Sequence, residues 1–457
     1  YFEAFGEPWP GMEVAFRGSE NANLRVLFKC HHSSVAACIC RWSALRGRPA
    51  EFDPFEVLVI PASLLHSLRF PGGCVGKMRI VADENMPLVK ELFSAFGEVV
   101  QLPGRQISAV DLRGADVLLV RSVTRVTAEL LAQSRVRFVG TATIGTDHID
   151  RDDLAALGVQ VAAAPGCNAR AVAEYVLTCL LILAREQGWS PEQRHVGVVG
   201  LGNVGRQVAS LLRAAGFRVS GCDPFRSDSG VPEVCLTDVD ALLESCDIIC
   251  LHTPLTRDGA HPTWHLLGAD RLSRMTAAQV LLNAGRGDVI DNRALLQRLR
   301  EPEAPAVILD VWEGEPLVLP ALLDRVRLGT PHVAGYSREG KWRGTAMVHE
   351  ALCRFLGVVP DVTPDTLALP GGPVVACPPA ASLTDLVGVL ARGLCKVERD
   401  DAALRASLGE VDPAQAFDRL RRDYPVRCEF ASSILTGTVP PDWRPGLRAL
   451  GFSLAPD

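Results

Sequence analysis

The sequence predicts an α/β protein with two doubly wound parallel-sheet domains followed by a smaller α+β domain. Three observations carry that prediction. From Met78 onward, short apolar runs alternate with helical stretches, the pattern of a parallel sheet covered on both faces. A second series of the same kind begins at Val196, at a glycine-rich turn. Past Gly357 the alternation stops at a proline-rich stretch (Pro360, Pro364, Pro370, Pro373, Pro378, Pro379) and a mixed helix and strand pattern follows.

Taken in order, residues 1–77 begin at Tyr1, show no sustained periodicity and end in a Pro71-Gly-Gly run. We read them as a non-native or disordered extension, with Met78 as the native start. The first series of strands comprises Arg79-IVA, Asp116-VLLV, Val136-RFVG and Val159-QVAAA. A long helix is expected after Asn168, with Val172, Tyr175, Val176, Cys179, Leu180 and Leu183 on its apolar side. The second series comprises Val196 to Val199, Val219-SGCD, Ile248-ICLHT, Val280-LLNAG, Val307-ILDV and Leu328-GTPHVAGY. The chain therefore crosses between the two sheets near Asn168 and returns near Gly335, and two crossings make a hinge.

Composition narrows the functional classes. The chain of 457 residues is 48% hydrophobic and 22% charged, ordinary for a globular protein, with room for about three domains. A net charge of −6 argues against nucleic acid as the main partner, which normally needs a basic face. No apolar run has the ~18 residues of a membrane span. The 14 cysteines are scattered, and Cys179, Cys222 and Cys250 sit in apolar contexts, which suits reduced thiols in the cytoplasm better than a disulfide framework. Cys30, Cys38 and Cys40 with His31 and His32 fit no common zinc spacing, so no metal is expected.

The segment His195-VGVVGLGNVG-Arg206 places Gly200, Gly202 and Gly205 in G-x-G-x-x-G spacing between a strand and a helix. That is the dinucleotide-binding turn of a Rossmann domain. Its glycines permit a tight turn, a close approach to pyrophosphate and close helix–strand packing, and the N–H groups of Asn203 and Val204 open the helix towards the phosphates. Asp223 follows 18 residues after Gly205, near the ~20 expected for an acid that accepts from a ribose 2′-OH. A carboxylate there repels a 2′-phosphate and favours NAD over NADP, a preference that Arg226 softens. A plain loop acid is the simpler alternative for Asp223.

Three residues then follow strand ends in the second unit: Arg286 in Asn283-AGRGD, Glu315 in Leu309-DVWEGEP and His332 in Thr330-PHVAGYS. Oxidising a hydroxyl beside a carboxylate asks for such a set. A guanidinium holds the carboxylate with two hydrogen bonds, an imidazole takes the hydroxyl proton, and a carboxylate orients the imidazole and stabilises its charge. Singly, each has a plainer alternative: Arg286 as a solvated turn residue, Glu315 as a helix-terminal acid and His332 as a structural histidine. Their joint appearance downstream of the glycine turn favours the chemical reading.

At these residues the sequence resembles the D-isomer-specific 2-hydroxyacid dehydrogenases. The supporting segments are Met78-RIVADENMP, Arg121-SVTRV, Phe138-VGTATIGTDHID, Ala164-PGCNARAVAEYV, Leu309-DVWEGEP and Thr330-PHVAGYSREGKWRGT. The TATIGTDHID and AAPGCNA runs, with Phe417-DRLRRDYPVRCEF, point to a subgroup that oxidises 4-phospho-D-erythronate to 2-oxo-3-hydroxy-4-phosphobutanoate on the way to pyridoxal 5′-phosphate. By that resemblance His332 is the general base, Glu315 its partner and Arg286 the substrate-orienting cation. Ser122, Thr143 and Tyr336 match substrate positions, while Thr253, Ala284, Gly285, Asp310 and Gly335 match NAD contacts. The resemblance also implies the domain layout: an outer substrate domain over 78–170 and 336–359, an NAD domain over 171–335, and a dimerisation domain over 360–457 that makes a homodimer. Cys428 stands where a basic residue is expected, and Gly285 where a cysteine is expected. Taken as residues alone, Ser122 and Thr143 also read as loop or capping hydroxyls and Tyr336 as packing. Two other functions compete: a phosphoglycerate or glyoxylate/hydroxypyruvate reductase of the same family, and a dinucleotide-sensing scaffold that binds proteins.

Overall fold

The computed structural model describes residues 78–368 and 371–455 and, in the preceding stretch, three strands: β1 (Met12–Gly18), β2 (Asn23–Cys30) and β3 (Leu58–Pro61). The chain divides into two units, Tyr1–Gly76 and Lys77–Asp457. In the first, β1–β2–β3 form an antiparallel sheet whose register sets Val14 against Phe28 and Phe16 against Val26. Two short period-two patterns thus form strands where no sustained periodicity was found. The histidines and the other cysteines of that stretch lie outside the described residues.

The second unit carries three sheets. The first, in order β5–β4–β6–β7–β8, is parallel throughout: β4 (Met78–Asp83), β5 (Gly97–Leu102), β6 (Val117–Val120), β7 (Phe138–Thr141) and β8 (Gln160–Ala162). Four of these match the predicted runs. The fifth, β5, is an edge strand of mixed polarity, too weakly patterned to stand out. A Cβ at Gly97 would lie 1.9 Å from the Met78 carbonyl oxygen, so only glycine lets this edge dock. Ile80, Val117, Leu119 and Phe138 fill one face, closed by Ala346, Val348 and Leu352 of helix Arg338–Leu356. The Val348 side chain occupies the place of a missing Cβ at Gly140.

The second sheet has seven parallel strands in order β11–β10–β9–β12–β13–β14–β15. They are β9 (His195–Val199), β10 (Arg218–Cys222), β11 (Cys235–Leu236), β12 (Ile248–Leu251), β13 (Val280–Asn283), β14 (Ala306–Leu309) and β15 (Leu328–Gly329). The order reverses at β9, which opens a crevice at the carboxyl ends of β9 and β12 where such sheets bind ligands. Helix Ala169–Gln187 is buried nearly all round, with Leu177, Leu181 and Ile182 as well as the predicted stripe. It packs against helix Asn203–Ala214 on one side and helix Leu383–Leu394 on the other, so its second face belongs to the C-terminal region.

That region adds helices Leu383–Leu394, Val397–Ser407 and Pro413–Arg422 and a small parallel sheet of β16 (Val374–Ala376), β17 (Ile434–Thr436) and β18 (Ser453–Leu454). Its Leu386, Leu390, Phe430 and Phe452 share one core with Val176, Leu180 and Val208. It is therefore seated on the second sheet. The ten cysteines from Cys167 to Cys428 are free, and among the described residues no helix is long and apolar enough to cross a membrane.

A buried polar node ties the region to both chain crossings. The Arg427 guanidinium donates to the carbonyls of Ala171 and Ala334, each at 2.8 Å, one on either crossing. Glu429 accepts from Ser337 Oγ at 2.8 Å and from Arg343 at 2.5 Å. The Phe430 N–H donates to Glu174, which Arg170 also grips at 2.7 Å. The crossings touch directly as well, since a Cβ at Gly335 would fall 2.1 Å from Asn168 Nδ2.

Two outcomes test this node. Arg427→Met removes a buried cation from beside Glu429 and Glu174, and denaturant titration should record a loss of about 3–5 kcal/mol; a loss below ~1 kcal/mol, typical of an exposed pair, would show that the node is dispensable. Burial raises the Glu174 carboxyl to about 7, against the pull of Arg170. The folded protein then keeps a proton that the unfolded chain has released, so this group's contribution to stability falls as pH rises from about 4.5 to 7. Glutamine does not titrate, so Glu174→Gln should gain about 1–3 kcal/mol on the wild type across that window. A difference independent of pH would contradict the assignment.

Candidate active site

The glycine turn is built around steric absences. Gly200 lies at φ +89°, and a Cβ there would sit 2.9 Å from the His252 and Thr253 backbone. A Cβ at Gly205 would fall 1.8 Å from the Gly200 carbonyl oxygen, which locks helix Asn203–Ala214 against the turn. A Cβ at Gly202 would meet nothing within 4 Å, so this glycine faces open space at the helix start, where Asn203 and Val204 supply the first turn. Helix N–H groups with no side-chain cap, facing a gap, suit a pyrophosphate.

Asp223 follows β10 and is half-buried. Its Oδ2 accepts from the Leu201 N–H at 3.0 Å and its Oδ1 from the Phe225 N–H at 3.2 Å, so the acid and the glycine turn hold each other. Across the crevice, past β12, Thr253 Oγ1 and both His252 ring nitrogens are buried without a hydrogen-bond partner. Burial holds the His252 imidazole down at about 3, hence neutral. Orphaned polar atoms beside a glycine cradle are what a dinucleotide-shaped ligand would satisfy. Ala284 and Gly285 follow β13. A Cβ at Gly285 would come 3.2–3.3 Å from the backbone of Leu251, His252 and Thr253, so glycine lets these two loops approach more closely than the expected cysteine.

The three predicted chemical residues stand on the loops after β13, β14 and β15. Arg286 directs Nε and Nη2 at Asp147 Oδ2, at 3.1 and 3.0 Å, and Nη1 at its neighbour's carbonyl. Asp147 comes from the TATIGTDHID run of the first sheet and is mostly exposed. Gly145 makes room for this reach, because a Cβ there would lie 2.1 Å from Arg286 Nη2.

His332 Nδ1 lies 2.8 Å from Glu315 Oε2, while Glu315 Oε1 accepts from the Trp312 N–H at 2.8 Å. Burial raises the Glu315 carboxyl, but His332 and then Arg421 outweigh it and hold the group below the ordinary value, hence ionised. His332 Nε2 has no hydrogen-bond partner among the described residues. The His332 backbone is left-handed, at φ +57°. Asp310 holds that shape: its carbonyl accepts from the His332 N–H at 2.7 Å, and its carboxylate accepts from Val333, Ala334 and Thr330 at 2.8, 2.9 and 2.6 Å. Tyr175 backs Thr330 at 2.7 Å. Asp310, which the resemblance matches to an NAD contact, is 1% exposed, with its carboxylate bonded within the loop.

Thr143, past β7, shares a 2.7 Å hydrogen bond with Thr141 and donates to the Gly145 carbonyl at 3.0 Å. Thr141 in turn meets His148, whose imidazole burial lowers to about 4, with Asp147 opposing and Arg286 assisting. Ser122, past β6, is exposed. Gly335 lies on the second crossing. Tyr336 follows it, stacked edge-on against Tyr424 with ring centroids 5.6 Å apart, beside a cavity of about 310 Å³.

Sequence reasoning missed Asp147 and His252, although both sit inside quoted motifs. It also missed a triad in which His265 Nε2 lies 2.8 Å from Glu313 and Nδ1 3.6 Å from Asp291. Both acids already cap helix Asn292–Arg298, Asp291 through Arg293 and Ala294 and Glu313 through Asn292, so this group is explained as a loop brace.

Comparison with known proteins agrees with this geometry. Residues 183–334 match the NAD binding domain of the D-isomer specific 2-hydroxyacid dehydrogenases. An erythronate-4-phosphate dehydrogenase of Marinobacter nauticus is 47% identical over 386 residues, covering 82% of this chain and 100% of the relative. That of Azotobacter vinelandii is 49% identical, covering 82% and 99%. Among solved structures, a protein of Thermus thermophilus superposes with a TM-score of 0.53 at 27% identity, covering 62% of this chain and 99% of the other. The fold also matches a D-lactate dehydrogenase of Aquifex aeolicus solved with NAD and lactic acid, with a TM-score of 0.52 at 24% identity, covering 61% and 95%. The chain belongs to the erythronate-4-phosphate dehydrogenases, NAD-dependent oxidoreductases within the D-isomer-specific 2-hydroxyacid dehydrogenase family.

Proposed function

We propose that the protein oxidises 4-phospho-D-erythronate at C2 to 2-oxo-3-hydroxy-4-phosphobutanoate, as a step towards pyridoxal 5′-phosphate. The observation that carries the reading is the His332–Glu315 pair, 2.8 Å apart, on the same rim as Arg286 and the glycine turn. NAD, held by the Gly200–Gly205 turn, Asp223, Thr253, Ala284, Gly285 and Gly335, supplies the hydride acceptor. Arg286 exchanges Asp147 for the substrate carboxylate, which matches its fork with two oxygens. Asp147 thereby keeps the guanidinium extended before substrate arrives. His332 Nε2 takes the C2 hydroxyl proton as the C–H bond breaks, and Glu315 stabilises the imidazolium that forms. Asp310 acts through the loop, by fixing the His332 backbone. Ser122, Thr143 and Tyr336 border the substrate, and rotation about the Asn168 and Gly335 crossings closes the two sheets over it and excludes water.

The same reading takes the protein as a cytoplasmic homodimer. Free and mostly buried thiols support a reducing compartment. In the small sheet, Val374 and Ile434 are register partners and are 67% and 37% exposed, an apolar face that supports pairing of two copies through the C-terminal region.

Steady-state assays with NAD should give a higher kcat/KM for 4-phosphoerythronate than for 3-phosphoglycerate; the reverse order would reject the substrate. His332→Ala should lower kcat by about 10²–10⁴-fold while NAD binding, followed by fluorescence, stays nearly unchanged. An unaltered rate would remove His332 from the mechanism. The double variant Val374→Asp with Ile434→Asp should sediment as a monomer, and a dimer of undiminished stability would move the interface elsewhere.

A further inference from the structure

Two cations lie over the Tyr336 ring, and a third lies beside one of them. Lys341, on helix Arg338–Leu356, sets its Nζ 4.9 Å from the Tyr336 ring centroid. Arg421, on helix Pro413–Arg422, sets its guanidinium carbon 6.0 Å from the same ring and 5.9 Å from Phe417. Arg121 leaves the end of β6 beside Ser122 and lies close enough to Lys341 to disfavour its charge. Among the described residues none of the three forms an ion pair. Their neighbours behave differently: Arg125 pairs with Asp150, Arg105 with Asp418 and Arg422 with Asp423.

An aromatic face attracts a cation without neutralising it. Tyr336 thus gathers positive charge and leaves it available. Tyr424 supports this ring edge-on and is itself anchored, its hydroxyl donating to Asp400 at 2.7 Å. Arg421 Nε is buried with no hydrogen-bond partner. Lys341 is drawn down to about 8, by burial first and by Arg121 second, with no acid to offset either. Lys341 and Arg121 repel, and partly buried like charges are costly to hold together unless an anion joins them. Arg421, by contrast, already feels Glu315, Asp418 and Asp310. Tyr336, Tyr424 and Lys341 line the cavity of about 310 Å³ together with Arg338 and Glu84, while Arg121 and Arg421 lie outside its lining. The charge of Arg421 is felt at Glu315, so this group adjoins the reacting end.

We infer that Lys341 and Arg421 at the Tyr336 ring, with Arg121 beside Lys341, form the subsite for a phosphate monoester dianion at the far end of the substrate from C2. The inference rests on the substrate reading above and deepens it. It makes the C-terminal region part of the active site within a single chain, through Arg421 and Tyr424. The carboxylate is held by Arg286 at one end and the phosphate by the three cations at the other, and C2 is fixed between them.

The test is a selectivity ratio: kcat/KM for 4-phosphoerythronate divided by kcat/KM for erythronate, which lacks only the phosphate. Lys341→Met, Arg421→Met and Arg121→Met should each lower the ratio by about 10- to 100-fold, mainly through KM, and Lys341→Arg should restore most of it. Because both substrates share the carboxylate and the C2 hydroxyl, a general loosening of the fold would not move the ratio. Three variants on three elements keep the test open if one fails to fold. A wild-type enzyme that prefers 4-phosphoerythronate but whose ratio is unchanged in every folded variant overturns the subsite alone. A wild-type enzyme with no preference for the phosphorylated acid overturns the substrate reading, and the subsite with it.

Discussion

The Arg427 guanidinium holds the carbonyls of Ala171 and Ala334, one on each segment that crosses between the two large sheets. Much of the active site depends on that clamp. Ala334 follows directly on the His332 loop, and Ala171 lies in the first turn of the helix whose Tyr175 backs Thr330. A cation so deeply buried persists only because carbonyls, a thiol and acids such as Glu174 and Glu429 surround it. The node thus serves two ends at once: it seats the C-terminal region and ties together the two segments that cross between the sheets. Glycines at 335 and 340, each in contact with Asn168, keep the crossings close enough for one side chain to span both.

From that fixed point the catalytic loop is built by polar satisfaction rather than by packing. Asp310 spends its carboxylate on Val333, Ala334 and Thr330 and its carbonyl on His332, which holds a non-glycine residue in the left-handed region. Glu315 then turns the ring through Nδ1, and Trp312 N–H fixes Glu315. Each partner is itself held, so the imidazole is oriented before any substrate arrives. Arg286 differs in kind. Its partner Asp147 sits on the other sheet and is mostly exposed, so their contact exchanges readily for another carboxylate.

The sequence made the parallel strands legible because buried strands are apolar runs bounded by turns, as at Val196–Val199 and Val280–Leu282. It hid β5 and β11, since edge strands carry mixed residues and short lengths. It ranked Arg286, Glu315 and His332 correctly as residues on adjacent loops, because strand ends in a parallel sheet all face one rim. It did not show that Asp310 holds its own loop, since nothing in a linear string tells which groups an acid will bond. Asp147, Lys341 and Arg421 were invisible for a related reason. Their significance lies in the presence or absence of a partner, which depends on elements far apart in sequence.

The seating of the C-terminal region bears on why this chain needs more than two sheets. On the proposed reading the paired sheets alone supply a hydride acceptor site, a base and a carboxylate grip, enough for a small 2-hydroxy acid. They place only Lys341 against Tyr336, with Arg121 beside Lys341. Helix Pro413–Arg422 adds Arg421 and the following turn adds Tyr424, both directed at the same ring. A rigid seat is needed for that contribution, because a third cation aimed at a multiply charged group gains little if it must first be ordered. Arg427 and Glu429, a few residues past Arg421, provide the seat by bonding to the same crossings that carry Tyr336. One short stretch, from Arg421 to Glu429, therefore couples the position of the two chain crossings to the proposed grip on the substrate's distal charge.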